Sequence, residues 1–177
     1  LGTHSGCGGS LLHLQYVVTS ASCVHFDDKP KIIVWAGASQ WIDDNRVQLN
    51  NIVYGQRRIV TKVTFPSCYD KSNGNMNIAI LKLDKPMESS QDVGVVKMCT
   101  EPWIMGQMIE ILGWSLKSSD MAVSGHILHS AHIPIILKSN CKSNDHLTDI
   151  FCAGTPNHRF RDVDIGGPAV IGDTLYG

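Results

Sequence analysis

The sequence has no excess of either charge and few charged residues in all. Its 177 residues include 15 lysines and arginines against 16 aspartates and glutamates, and charged residues make up 18%. Nucleic-acid-binding proteins usually carry a basic excess, so this balance argues against that class. With 43% hydrophobic residues, the chain also lacks the low hydrophobicity and high net charge that are typical of intrinsic disorder.

Long apolar runs and zinc-type cysteine pairs are absent as well. The longest apolar stretches, such as 133–137, are far too short to span a bilayer. The cysteines form no C-x-x-C pair, although zinc sites usually draw their ligands from such close pairs. The sequence therefore predicts no membrane partner, no metal site and no cofactor.

The cysteines themselves are the first positive signal. Six is an even number that allows 15 pairings. Scattered cysteines in even number are typical of disulfides formed in an oxidising compartment, so we expect a secreted, extracellular protein. Six buried thiols in a cytosolic protein are the alternative. The six are Cys7, Cys23, Cys68, Cys99, Cys141 and Cys152.

Short runs rich in apolar and β-branched residues recur along the chain, as at 11–19, 58–65 and 77–83. Turn-forming Gly, Asn, Asp and Pro residues separate them, which predicts an all-β sandwich or barrel. Helical turns are expected only near 138–144. The mixed stretch 88–106 is interpreted as a link between two β units.

The basic residues Arg57, Arg58 and Lys62 lie at or within one of the predicted strands. We interpret them as a solvated strand edge, with an anion-binding site as the alternative.

Several motifs, in this order, resemble those of the trypsin/chymotrypsin-like serine protease family. Two segments resemble the first disulfide loop and the histidine box, one the aspartate strand, and one the nucleophile loop. Gly113-Trp114 and the FCAG segment are supporting matches. The segments are CGGSLL at 7–12, VVTSASC at 17–23, NIAILKL at 77–83, FCAG at 151–154 and DIGGPAV at 164–170.

This resemblance implies two antiparallel six-stranded β-barrels with a cleft between them. Residues 1–100 would form the N-terminal barrel and residues 101–177 the C-terminal barrel. Nothing matches the family's first strand before Gly6, and no last strand pair or C-terminal helix follows Gly177. We therefore expect that both ends of the usual domain are missing and belong to a longer chain.

The family's catalysis needs three side chains that act as a unit: a serine attacks, a histidine takes its proton, and an aspartate orients the histidine. Here Ser22 occupies the histidine position, Asn77 the aspartate position and Ile165 the serine position. Ser22 cannot act as a base at neutral pH, and Ile165 has no nucleophilic atom. Because losing one member removes most of the rate, the resemblance implies an inactive homologue.

Other positions of the implied site depart from the family's pattern. Val163 stands where the family has an oxyanion-hole glycine, whose special torsions a β-branched residue resists. Arg159 aligns with the floor of the specificity pocket and Arg161 with one of its cysteines. A shifted alignment of the 157–162 loop is the alternative for Arg159. Asp164 matches the buried acid that pairs with the new N-terminus after zymogen cleavage.

The resemblance also implies disulfide pairs. Cys68 and Cys99 have no partner in it, so we pair them by elimination only. The implied pairs are Cys7–Cys23 and Cys141–Cys152.

This chain retains the scaffold residues and has lost the triad. In this it is similar to the inactivated serine protease paralogues of scabies mites, which are relatives of the group 3 mite allergens. That likeness implies a secreted pseudoprotease that binds host proteins and inhibits complement by binding its components. Two alternatives stay open. One is an active trypsin-like serine endopeptidase, and the other is a decoy that sequesters protease inhibitors or substrates.

Overall fold

The structure is a computed structural model, and it describes residues 6–26, 31–39, 55–114, 127–140, 150–155 and 164–177. The predicted all-β class is confirmed, because short 3-10 turns are the only helical elements among these residues. No helix in the described ranges is long and apolar enough to cross a membrane. The strands are β1 (Ser10–His13), β2 (Tyr16–Thr19), β3 (Ile33–Ala36), β4 (Gln56–Thr64), β5 (Ala79–Leu83), β6 (Lys97–Met98), β7 (Met108–Gly113), β8 (His129–Ile136), β9 (Cys152–Ala153), β10 (Ala169–Ile171) and β11 (Thr174–Leu175), and the 3-10 turns are Ala21–Cys23 and Lys138–Asn140.

The first sheet has the strand order β1-β2-β5-β4-β3, with antiparallel neighbours throughout. Its central strand β5 shows the alternation that defines a sheet with one buried face. Ala79, Leu81 and Leu83 are buried in the core, whereas Ile80 and Lys82 point to the opposite face. This alternation fixes the register, because a one-residue slip would expose the whole apolar set.

The second sheet has the strand order β6-β11-β10-β7-β8-β9. Its core forms where Ile109 and Ile111 of β7 pack with Ala131, Ile133 and Ile135 of β8. The pairing of β6 with β11 is parallel, which departs from the purely antiparallel prediction. Strand β6 thus joins the second sheet although it precedes the predicted boundary at residue 100.

The interpretation of Arg57, Arg58 and Lys62 as a solvated strand edge is wrong for Arg58, whereas Arg57 and Lys62 are exposed. Residues 56–59 of β4 pair with β3 and residues 60–64 pair with β5, and Arg58 is only 7% exposed. The Arg58 guanidinium donates to Pro86 O at 2.9 Å and to Gln56 Oε1 at 3.1 Å. A buried guanidinium needs such acceptors, so Arg58 ties β4 to the segment that follows β5.

A disulfide joins Cys7, before β1, to Cys23 in the first 3-10 turn. It closes a loop of about 15 residues, which corresponds to about 3 kcal/mol in the chain-entropy model. Cys152 is also disulfide-bonded, and its implied partner Cys141 lies outside the described residues.

The pairing of Cys68 with Cys99 is not formed, since both are free thiols. They belong to different sheets. Cys68 lies in the loop between β4 and β5 of the first sheet. The backbone N–H of Cys99 bonds to Leu175 of β11 in the second. Elimination failed here because it ignored where the fold carries each thiol.

Candidate functional site

The structure brings Ser22 and Asn77 into direct contact. Ser22 lies in the 3-10 turn after β2, and Asn77 lies just before β5, the antiparallel neighbour of β2. The backbone N–H of Ser22 donates to Asn77 Oδ1 at 2.8 Å, and Asn77 Nδ2 donates to Ser22 Oγ at 3.2 Å. The Asn77 amide therefore holds the backbone and the hydroxyl of Ser22 through neutral hydrogen bonds, and the pair contains no base and no carboxylate.

A tight turn aims Asn77 at Ser22. The N–H of Ile78 donates to Met76 O at 2.8 Å, which places Asn77 at the centre of a γ-turn. Met76 before it has φ of 52°, in the left-handed region that residues with a β-carbon seldom occupy. This conformation costs about 1–2 kcal/mol per residue. The surrounding contacts must therefore hold Met76 in place.

The loop at 70–75 leads directly into this turn and is organised by Asp70. The Asp70 carboxylate accepts hydrogen bonds from Ser72 N at 2.8 Å, Ser72 Oγ at 2.7 Å and Asn73 Nδ2 at 2.8 Å. The Ser72 hydroxyl, helped by the Ser72 backbone N–H, holds the pKa of Asp70 below its usual value. The ionised carboxylate therefore stabilises the loop that precedes Asn77.

Replacing Asp70 with asparagine is expected to lower the stability of the protein at pH 7 and to have less effect in acid. Because folding depresses this pKa, the carboxylate stabilises the fold above its unfolded pKa of about 3.9. That contribution is lost as the pH falls through the lower folded value. Urea unfolding of the wild type and of Asp70→Asn from pH 7 to pH 3 measures this difference.

The matched control is Asp92→Asn, since the Asp92 carboxylate is exposed and accepts no hydrogen bond in the described part of the chain. We expect little change from it at any pH. A difference between Asp70→Asn and wild type that stays constant down to pH 3 would contradict this role of the Asp70 carboxylate.

Ile165 lies at the tip of a tight turn between the two sheets. The N–H of Gly167 donates to Asp164 O at 3.0 Å across the turn, and Gly166 takes φ of 78°. A positive φ at the third residue is typical of a type II turn. Ile165 O accepts from Gly8 N at 2.8 Å, so the segment before β1 helps to fix the turn. The side chain itself is 42% exposed, and it offers only hydrocarbon.

Asp164 is buried beneath this turn, at 5% exposure. A cavity of about 140 Å³ adjoins it, lined in part by Gly113, Trp114, Leu128 and Pro168. A β-carbon on Gly113 would collide with the Asp164 carboxylate. The glycine of the Gly113-Trp114 motif thus leaves the space in which the buried acid lies.

Sequence reasoning missed an aromatic cluster formed by His25, Phe65 and Tyr69. The His25 ring lies 5.4 Å from Phe65 and 5.6 Å from Tyr69, edge to face, with Phe65 and Tyr69 5.9 Å apart. Its Nδ1 atom is buried without a hydrogen-bond partner. Aromatic residues at 65 and 69 after strand β4 are visible in the sequence, but only the fold places His25 between them.

Within the described ranges, the His25 imidazole is therefore not paired with a nucleophile. Among the described residues, no hydroxyl or thiol donates to it. The implied site residues Val163, Arg159 and Arg161 lie outside the described residues. The structure thus brings Ser22 and Asn77 together, and it places Ile165 at the junction of the two sheets.

Comparison with known proteins agrees with the family resemblance of the sequence motifs. A family model described as Trypsin matches residues 1–177. Seminase of Drosophila melanogaster is 28% identical over 177 residues, which cover 97% of this chain and 61% of Seminase. The thrombin-like enzyme gyroxin B2.1 of Crotalus durissus terrificus is 24% identical over 184 residues, which cover 97% of this chain and 71% of that protein. Trypsin alpha of Drosophila melanogaster is 24% identical, with 99% and 67% covered. The chain belongs to the trypsin family of serine proteases.

Proposed function

We propose that this protein is a catalytically inactive member of its family, a pseudoprotease that acts by binding other proteins. The observation that carries the proposal is Ile165 at the tip of the nucleophile turn. The family's mechanism forms an acyl-enzyme through a serine oxygen, and an isoleucine side chain has no atom that can form such a bond. The turn that Gly8 and Gly166 fix exposes Ile165, but the hydrocarbon side chain of Ile165 cannot act as a nucleophile.

The Ser22–Asn77 pair supports the same conclusion from the other side of the site. Covalent catalysis needs a base within hydrogen-bond reach of the nucleophile, and a third group that orients the base. Here the Asn77 amide bonds to the backbone N–H and to the hydroxyl of Ser22, and neither side chain is a base. His25, the nearest imidazole in sequence, packs against aromatic rings. The first alternative is an active endopeptidase. It would need a base at the position of Ser22 and a nucleophile at the position of Ile165, and neither side chain can act in that way.

A fluorophosphonate serine-hydrolase probe tests the loss of catalysis. We expect no labelling of the folded protein at neutral pH, while an active trypsin treated in parallel is labelled. The loss of a triad costs on the order of 10⁶-fold in kcat, so the expected contrast is large. Labelling that disappears when the protein is unfolded would establish a nucleophile in the folded protein and overturn the proposal.

We also propose that the protein is secreted and that its partners are host proteins, with complement components first among them. The disulfides at Cys7–Cys23 and Cys152 support secretion, because such bonds persist in oxidising compartments. The complement part is supported by the resemblance to scabies mite paralogues. Capture of serum proteins on the intact protein, followed by mass spectrometry and a complement lysis assay, tests it. Unchanged lysis with no complement protein captured would refute it.

A pair of matched variants separates surface binding from a decoy that binds through its cleft. Ile165→Asp places a charge at the turn between the sheets, and Ile104→Asp places one on an exposed turn of the second half, where Ile104 is 66% exposed. We expect serum partners to bind Ile165→Asp as they bind the wild type, because surface loops carry the contacts. Loss of binding in Ile165→Asp but not in Ile104→Asp would favour the decoy.

A further inference from the structure

The outer face of the first sheet carries a row of exposed polar and aromatic side chains across three strands. Lys62 of β4 lies directly opposite Lys82 of β5, and Lys82 lies directly opposite Tyr16 of β2. Both lysines are exposed, and Tyr16 is 37% exposed. Side chains directly opposite each other in an antiparallel pair have β-carbons about 5 Å apart. The three side chains therefore form one continuous row.

The charge of this face is one-sided. Lys62 and Lys82 make no ion pair with any described residue, in contrast to Lys97, which pairs with Asp173 at 3.0 Å. The nearby carboxylate is Asp84, which accepts a hydrogen bond from Ile59 N at 3.0 Å. The protein as a whole carries a net charge of -1, so this basic face is a local asymmetry.

Two ammonium groups directly opposite each other in a sheet are destabilising, because like charges repel at that distance. Within the described part of the chain, neither lysine forms an ion pair that would compensate the repulsion. An anion that contacts both ammonium groups at once would relieve it and bind in doing so.

We propose that this face, defined by Lys62, Lys82 and Tyr16, binds a linear polysulfated polysaccharide. Closely spaced sulfate groups complement neighbouring ammonium groups, and the exposed ring of Tyr16 offers a flat apolar surface to a sugar ring. An acidic peptide fits less well. A peptide that adds to a sheet needs a free edge, whereas β2 and β5, which carry Tyr16 and Lys82, have a paired strand on each side.

Heparin is the probe for this proposal, and calorimetric titration at about 0.1 M ionic strength is the measurement. We expect the wild type to bind, with an affinity that falls as salt is added. The double variant Lys62→Gln/Lys82→Gln is expected to bind roughly tenfold more weakly, since it removes two exposed charge pairs with sulfate groups and each such pair is weak. Lys97→Gln, a lysine of the second sheet, is the matched control and is expected to bind as the wild type does.

Two further measurements keep a loss of binding from being mistaken for unfolding. The double glutamine variant is expected to unfold at the same or a higher temperature than the wild type, because it removes a repulsion. Lys62→Arg/Lys82→Arg is expected to keep heparin binding, because it keeps both charges. The proposal is overturned if heparin does not bind, or if the double glutamine variant binds unchanged. Equally tight binding of polyglutamate of the same charge would assign the face to an acidic polypeptide and overturn it too.

Discussion

Gly8→Ala is expected to lower the free energy of unfolding by about 3 kcal/mol or more, the upper range for overpacking a close backbone contact. A β-carbon on Gly8 would lie 2.5 Å from Gly167 Cα and 2.6 Å from Gly167 N. Those atoms are backbone, so no side-chain rotation can relieve the collision. Gly8 precedes β1 of the first sheet and Gly167 precedes β10 of the second, so the added methyl group would force the two halves of the molecule apart.

Gly94→Ala is the matched control for this prediction. A β-carbon on Gly94 meets nothing within 4 Å, and its φ is not positive. We expect a change within about 0.5 kcal/mol. Denaturant unfolding of both variants, followed by fluorescence and by circular dichroism, gives the comparison. A Gly8→Ala protein that unfolds at the wild-type midpoint would show that the junction between the sheets can open without cost, and that this contact does not hold them together.

The glycines at this junction explain why the family resemblance could be read from the sequence. Gly8 and Gly167 have no room for a side chain, and Gly166 has positive φ with Gly8 O 2.8 Å from where a β-carbon would lie. Residues constrained in this way by neighbouring backbone form short, fixed motifs. The alternation of apolar and polar residues in β5 also predicts the strand from the sequence, because one face of β5 is buried and the other is not. Fold class and the positions of Ser22, Asn77 and Ile165 follow from such local constraints.

Features that depend on contacts between segments distant in sequence could not be predicted from the sequence. Arg58 looks like a surface cation in sequence, yet it is buried because Pro86 O and Gln56 supply acceptors. The parallel pairing of β6 with β11 joins two-residue strands that carry no periodic signal. Met76 occupies a left-handed conformation that its residue type disfavours. In each case a tertiary contact overrides local preference.

The same division applies to the lysine face. Lys62 and Lys82 are 20 positions apart in the numbering, and each alone is an ordinary surface residue. Their direct opposition depends on an irregularity in the register between Val60 and Lys62. Without that shift, the alternation along β4 would place a different residue beside Lys82. A bulge of this kind leaves no reliable mark in a single sequence.

Restoring the whole triad with Ser22→His, Asn77→Asp and Ile165→Ser is expected to produce fluorophosphonate labelling, but turnover that stays well below that of an active relative. The backbone is prepared for the change. An aspartate at 77 can still accept from the N–H at position 22, and the bond from Gly8 N to the carbonyl of residue 165 does not involve the side chain. Ile165→Ser alone is expected to show no fluorophosphonate labelling, because Ser22 provides no base.

The limit on turnover comes from positions beyond the triad. The family resemblance implies that Val163 stands in place of the oxyanion-hole glycine, and misplacing one such donor costs on the order of 10²–10³ in rate. Adding Val163→Gly to the triple variant is therefore expected to raise its kcat. This increase is expected to exceed the increase that any one of the three triad substitutions causes in the wild type. Steady-state kinetics on a small peptide ester compares the variants. Turnover of the triple variant at the rate of an active trypsin would show that neither Val163 nor Arg159 impairs the site, and that the triad alone separates this chain from its active relatives.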